Sequence, residues 1–265
     1  MSSQAGPASR TPNPRIVYSM RALGRRDLPA TIVLNGVTYR HERTHKHDFW
    51  AATGFYVSNA GQRVVLKMSR TEDFAGFPLA WVGRWLCRRE MRFYKKLSDL
   101  PNVPPLLGTV GQTGFVHAYV QGRPLSRDRS VPDGFFDQLV ALLRELHRRD
   151  IAYVDTNKPE NILLGDDGLP HLIDFQISYD LHELGNTWLN RKLLRQLQRE
   201  DLYHILKHKK KLRPDEMTPE ELAAAERRSW LIRLHRFITR PYFLLRRRTF
   251  KRLREAGRLL PEGSK

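Results

Sequence analysis

Cysteine is nearly absent from this chain of 265 residues: Cys87 stands alone. That excludes an intramolecular disulfide and points to a reducing compartment. No apolar run approaches the roughly 20 residues needed to span a bilayer, so no transmembrane anchor is expected. The first twenty residues are rich in Ser, Pro, Ala and Arg and lack the apolar core of a secretory signal; they read as a flexible tail. No internal repeat is evident. Acid is also scarce, with 28 Asp and Glu against 46 Lys and Arg, a formal net charge of +18. Hydrophobic residues make up 40% of the chain, enough at this length to bury a sizeable core. Together these features predict a cytoplasmic protein, with peripheral attachment at the inner face of the cytoplasmic membrane as an option.

What is present is concentrated in two short stretches. The first runs from Tyr153 to Leu164 and places Asp155, Lys158 and Asn161 on one loop ahead of an apolar run; the second is Leu172-Ile173-Asp174-Phe175-Gln176. In ATP chemistry one carboxylate orients an attacking hydroxyl, while an amide oxygen and a second carboxylate hold metal ions. Each half is ambiguous by itself. An Asp-x-Asn run also forms turns by bonding its own backbone, and an isolated Asp-Phe pair is common. The interval from Asn161 to Asp174 accommodates a strand, the Gly165-Asp166-Asp167-Gly168 turn and a second strand. Such a hairpin would set the amide beside the carboxylate.

Upstream, Arg63-Val64-Val65-Leu66-Lys67-Met68 reads as an apolar strand that delivers one lysine. The next segment, Trp81 to Leu97, has apolar residues at helical spacing through Trp85, Met91, Phe93 and Tyr94, and Glu90 is its only acid. The plainer alternatives are a solvated edge lysine and a surface glutamate paired with Arg88 or Tyr94.

These motifs together resemble the protein kinase-like superfamily, and most closely its small bacterial lipopolysaccharide kinase (Kdo/heptose kinase) and RIO-like branch. The resemblance implies an α+β, two-lobed fold with a β-rich N-lobe and a mainly helical, trimmed C-lobe. It also implies ATP and Mg2+ as cofactors. Asp155 would be the catalytic acid-base residue, Lys158 would neutralise the transferred phosphoryl group, and Asn161 and Asp174 would bind metal. Lys67 would hold phosphates, Glu90 would position Lys67, and adenine would bond backbone near Ala118 to Val120, in the strand and linker between the lobes. The corresponding division is a flexible basic tail at 1–28, an N-lobe at 29–122, a C-lobe at 123–258 and a C-terminal tail at 259–265.

The N-lobe should open with a hairpin, Thr31 to Leu34 and Val37 to Arg40 about Asn35-Gly36. A helix over Asp133 to Arg149 should bury Phe136, Leu139, Val140, Leu143 and Leu146. His41, His45 and His47 have no cysteine nearby and read as a solvated loop rather than a metal cluster.

The chain departs from the kinase pattern at several points. The phosphate-covering hairpin, Phe49 to Val57 with its turn at Asn59-Ala60-Gly61, offers Gly54 as its one glycine, and alanine does not take positive φ as cheaply. Val154 replaces the arginine that receives an activation-loop phosphate in many kinases, so that form of regulation is not expected. One extra residue separates Asp155 from Lys158, which would shift Asp155 or bulge Thr156-Asn157 outward. Gln176 replaces a glycine, which suggests a metal-binding segment that does not flip. No Ala-Pro-Glu segment anchors a peptide-binding floor.

Beyond Asp174 the sequence becomes basic and helical. Thr218-Pro219-Glu220-Glu221 is a capping box that starts a helix predicted to reach about Arg240, with a second helix to Gly257. Apolar residues such as Trp230, Leu234 and Phe237 alternate there with Arg233, Arg236 and Arg240. That pattern fits packing on the core, an anionic membrane surface, or a nucleic acid, the last without a supporting motif. The cluster Lys207-His208-Lys209-Lys210-Lys211 does not choose among these. The chain thus reads as an ATP-dependent phosphotransferase acting on a sugar hydroxyl of a lipopolysaccharide-type envelope glycolipid. The alternatives are a RIO-like protein serine/threonine kinase and a pseudokinase scaffold.

Overall fold

The structure is a computed structural model and describes residues 18–74, 76–125 and 131–226. The predicted hairpin forms β1 (Thr31–Leu34) and β2 (Val37–His47). Asn35 and Gly36 between them both take positive φ, 50° and 79°, as a two-residue turn matched to strand twist requires. β3 (Ala51–Ser58) and β4 (Arg63–Ser69) follow, then helix α1 (Ala80–Lys96), β5 (Leu106–Val110) and β6 (Gly114–Ala118). The strands form one antiparallel sheet in the order β1-β2-β3-β4-β6-β5.

Alternation along β4 gives the sheet two different faces. Val64 and Leu66 point to a core with Leu28, Ile32, Tyr39, Tyr56 and Val116. Lys67 and its cross-strand partner Phe115 lie on the other face, where Phe115 packs with Phe93 and Tyr94 of α1. Gly83 lets α1 come this close, since a Cβ there would stand 1.8 Å from the Arg70 carbonyl oxygen.

β6 ends at Ala118, and β7 (Gly122–Pro124) belongs to a second sheet, so strand pairing puts Gly122 with the downstream elements. α2 (Phe135–Arg148) buries Phe136, Leu139, Leu143 and Leu146 completely, with Val140 partly buried beside them. Next come β8 (Ile151–Ala152), β9 (Ile162–Gly165), β10 (Pro170–Leu172), β11 (Tyr179–Asp180) and the one-turn helix α3 (Leu181–Leu184). The long helix α4 (Trp188–Leu212) and α5 (Pro219–Glu226) complete the described chain.

The main core crosses both halves, joining Phe93 and Phe115 to Phe136, Tyr153 and Phe175. The capping box is formed: Glu221 N–H donates to Thr218 Oγ1, and Thr218 N–H to the Glu221 carboxylate, each at 3.2 Å. The predicted extension of that helix to Arg240 and the second helix to Gly257 lie outside the described residues. Among the described residues no helix is long and apolar enough to cross a membrane.

Candidate active site

β9 and β10 form the predicted hairpin, with Ile162 opposite Leu172, and Ile173 N–H donates to the Asn161 carbonyl at 3.2 Å. This fixes Asn161 and Asp174 as neighbours. Ahead of the hairpin, two short 3₁₀ turns, Asp155–Asn157 and Pro159–Asn161, carry the loop. Asp155 is buried, and its Oδ2 accepts from Lys158 Nζ at 2.7 Å and from Asn161 Nδ2 at 2.8 Å. The extra residue is absorbed by the first turn: Thr156 is buried and Asn157 exposed, so only half of the expected Thr156-Asn157 bulge points outward.

From the sheet, Lys67 is almost fully buried, and its Nζ donates to Glu90 of α1 and to Asp174, each at 2.8 Å. Glu90 also accepts from Phe175 N–H, and Tyr94 Oη accepts from Asp174 N–H at 3.3 Å. Burial opposes charge on Lys67, but the Asp174 and Glu90 carboxylates more than offset it and hold the ammonium above the usual lysine range. Burial also works against the Asp174 carboxylate, yet Lys67 brings it down to about 2. Asp155 moves the other way: burial raises it above an ordinary aspartate, against the pull of Lys158. One carboxylate is thus firmly ionised beside a lysine, and the other is more proton-avid.

A buried acid that the sequence reading passed over organises this loop. Asp201, fully buried in the middle of α4, accepts from Tyr153 N–H and Val154 N–H at 2.8 Å each, from Thr156 Oγ1 at 3.2 Å, and lies 3.2 Å from His147 Nε2. These bonds hold Val154 at φ 69°, a costly conformation for a β-branched residue. The basic cluster contributes as well. His208 Nε2 donates to the Thr156 carbonyl at 2.9 Å, and Lys209 is buried against Glu221 at 3.0 Å. Two of its five residues therefore face inward rather than forming a solvated charge run.

The segment after Asp174 is clamped by α1. Arg89, next to Glu90, donates to the Gln176 carbonyl at 2.8 Å, to the Ser178 carbonyl, and to Glu183 at 2.9 Å. Phe175 is buried against Phe93, Tyr94 and Tyr153.

Three sequence expectations are revised. Gly54 sits in mid-strand, paired with Thr44 and Leu66, and its bare side faces Leu28 and His41, opposite to Lys67. The turn at Asn59-Ala60-Gly61 closes the far end of the β3–β4 hairpin. The turn nearest Lys67 is Asp48-Phe49-Trp50, because Lys46, Thr53 and Lys67 lie in register across β2, β3 and β4. Arg70, completely buried, donates to the Phe49 carbonyl of that turn at 2.8 Å. The three histidines belong to strand β2 rather than to a loop; His47 contacts Arg21 at 2.7 Å, and burial pushes it down to about 4. Among the described residues no cluster of His, Cys, Asp and Glu is arranged to hold a metal.

Ala118 ends β6 with both backbone groups engaged: its N–H donates to the Pro105 carbonyl at 3.0 Å, and its oxygen accepts from His117 Nδ1 at 2.9 Å. Only the second lone pair of that oxygen is left for another donor. Tyr119 and Val120 lie past the strand, and the Tyr119 ring meets Phe55 edge-on at 5.5 Å.

No protein-family model matches the chain, and no curated protein matches it. Solved structures do. A complex of the Rio2 kinase from Chaetomium thermophilum with ADP/Mg2+-phosphoaspartate superposes with a TM-score of 0.52 at 18% identity, covering 67% of this chain and 57% of that one. Another structure of the Rio2 kinase from that organism gives 0.51 at 18% identity, covering 69% and 61%. The chain thus spans less than two thirds of either neighbour's length. The likeness shows that the fold is protein kinase-like: a β-rich first part followed by a mainly helical one.

Proposed function

We propose that this protein is an ATP-dependent phosphotransferase. The observation that carries the proposal is the single ammonium of Lys67 joined at 2.8 Å to Glu90 from the sheet half and to Asp174 from the helical half. A buried lysine held between two acids is positioned for phosphate oxygens, and Asp155, with its raised proton affinity, suits acceptance of a hydroxyl proton. In the reaction the acceptor oxygen bonds to the γ-phosphorus, the bond to the β-phosphate oxygen breaks, ADP leaves, and the proton passes to Asp155. Lys158, 2.7 Å from Asp155, would offset charge on the moving phosphoryl group.

The Asn161 amide and the ionised Asp174 carboxylate form the hard oxygen donor set that Mg2+ prefers, and the ion would neutralise phosphate charge there. Backbone near Ala118 and Val120 would receive adenine, with Val120 better placed than Ala118 to offer a free N–H. We assign the nucleotide to the cleft between the six-stranded sheet with α1 and the part of the chain that begins with β7 at Gly122.

For the acceptor we favour a sugar hydroxyl of a lipopolysaccharide-type glycolipid. The support is the motif resemblance and the short passage from Asp174 through β11 and α3 to α4, where a peptide-binding floor would otherwise sit. A RIO-like protein serine/threonine acceptor is the second reading, favoured by the Rio2 neighbours; a pseudokinase scaffold is the third. The deciding experiment is transfer of labelled γ-phosphate with Mg2+, offering a glycolipid extract and a protein extract separately to wild type and to Asp155→Asn. Asp155-dependent label in glycolipid supports the first reading, label in protein the second. Failure to transfer or hydrolyse would overturn phosphotransfer and leave the scaffold.

A further inference from the structure

The outward face of α1 is unusual for a helix that packs beside a nucleotide cleft. Its exposed positions follow one stripe: Trp81 and Trp85, at 62% and 52% exposure, lead into Arg88, Arg92 and Lys95. Exposed tryptophans are expensive to leave in water, and two of them one turn apart are not explained by the cleft. The only acid of α1, Glu90, is buried and committed to Lys67.

A second patch of the same composition starts α4. Trp188, Leu189 and Leu193 are exposed, at 74%, 59% and 45%, among exposed Arg191, Lys192, Arg195 and Arg199, and no acid occurs from Trp188 to Arg199. The connection leading into α4 is short and is fastened to α1. Arg89 and Arg92 of α1 bond Glu183 of α3, Lys96 bonds Asp180 just before it, and exposed Ile177 lies between the two carbonyls that Arg89 holds. The acids of this connection are thus turned toward α1 as ion-pair partners.

We infer that the outer face of α1 and the start of α4 together form a docking surface for an anionic lipid bilayer. Tryptophan and leucine side chains settle at the headgroup and acyl boundary, while arginine and lysine neutralise lipid phosphates. The composition discriminates between partners: tryptophan would stack on bases, but Leu189, Leu193 and Ile177 gain nothing from a nucleic acid and do gain from acyl chains. Charge also argues against the chain's own C-terminal segment as the occupant, since Arg233, Arg236, Arg240 and Arg246 would face arginines and lysines of like sign. The surface is independent of which hydroxyl receives phosphate.

The test uses the full chain with sedimenting vesicles, either neutral phosphatidylcholine or phosphatidylcholine mixed with phosphatidylglycerol, after nuclease treatment. Wild type should bind the anionic vesicles with strong salt dependence, and lipids brominated near the headgroup should quench its tryptophan fluorescence. The pairs Trp81→Ala/Trp85→Ala and Trp188→Ala/Leu189→Ala should each lower vesicle affinity by about tenfold, with unchanged circular dichroism because all four side chains are exposed. The first pair should also remove part of the quenching. Unchanged affinity in either pair overturns the single docking face. So does binding to single-stranded oligonucleotides without binding to vesicles, or vesicle binding in which the tryptophans stay unquenched, as they would if the C-terminal segment covered them.

Discussion

Lys67 Nζ and Asp174 Oδ1 lie 2.8 Å apart although 107 positions separate the residues in sequence, so one ion pair ties the sheet to the segment that follows the β9–β10 hairpin. Folding brings Asp174 from an ordinary carboxylate value of 3.8 down to about 2, chiefly because Lys67 outweighs the effect of burial. A carboxylate depressed in the folded state stabilises it above the unfolded pKa and loses that contribution as pH falls through the folded one. The pair should therefore contribute roughly 2 kcal/mol that is fully present above about pH 5 and disappears toward pH 2. Denaturant unfolding of wild type and Asp174→Asn across that range checks it: the two stabilities should converge in acid. Parallel curves would show that the pair contributes nothing through this carboxylate.

Asp155 is displaced in the opposite direction, by burial. A general base works only when unprotonated, so turnover should fall on the acid side at a pH above the ordinary aspartate value of about 3.9. Asp155→Asn should lower kcat by about 10²–10⁴-fold and leave ATP affinity within a few fold, measured by turnover and by nucleotide titration. Equal losses in both would mean that Asp155 serves binding rather than proton transfer.

Much of this arrangement was legible in the sequence because it is local or strictly ordered. The Asn35-Gly36 turn dictates its hairpin, the interval from Asn161 to Asp174 dictates another, and the lone acid of the helix after β4 meets the lone lysine of that strand. Sidedness was harder to read. Gly54 looked like a phosphate-loop glycine because glycine marks close backbone approach, but what approaches it is Leu28. In β4 the lysine sits near the strand end that joins the Asp48-Phe49-Trp50 side, so the relevant turn was the one without glycine. Asp201 carried no local signal. An aspartate in a basic, polar helix resembles any surface residue, and its four partners come from helix α2 and from the Tyr153–Thr156 segment more than 40 positions upstream.

Lys46 stands in register with Thr53 and Lys67, beside a turn that lacks the usual glycines. Its ammonium pairs with Asp48 at 2.9 Å and contributes to holding Asp174 ionised. In place of backbone N–H groups, this side chain would reach the phosphates. Lys46→Ala should raise the KM for ATP by about tenfold with little change in kcat, as loss of one partly exposed charge contact implies. Steady-state kinetics at two salt concentrations tests this, since the difference should shrink at high salt. A fall in kcat with KM unchanged would place Lys46 outside the phosphate site.

Arg89 offers a test of the clamp behind the segment proposed to bind metal. Its planar fork engages Gln176, Ser178 and Glu183 at once, a geometry that lysine cannot reproduce. Arg89→Lys should weaken the hold on Asp174 without touching substrate, so the Mg2+ concentration for half-maximal turnover should rise several-fold while the pH profile set by Asp155 stays in place. A shifted pH profile would instead indicate that Arg89 acts on the proton acceptor.

Asp201 makes the strongest structural prediction. Its carboxylate satisfies one buried and one part-buried backbone N–H beside a residue held at positive φ, so Asp201→Ala leaves Tyr153 and Val154 without this acceptor and removes what keeps Val154 at 69°. Each orphaned donor costs about 1–3 kcal/mol, and a total near 3 kcal/mol is expected in urea unfolding. Asp201→Asn retains one acceptor oxygen and should lose roughly half of that. The functional effect should be selective, because Lys67, Glu90 and Val120 do not depend on Asp201: nucleotide affinity should persist in the Asn variant while turnover falls with the displaced Asp155 loop. If Asp201→Asn matches wild type in both stability and turnover, the loop is held by its own 3₁₀ turns and by His208, and α4 is only a packing helix.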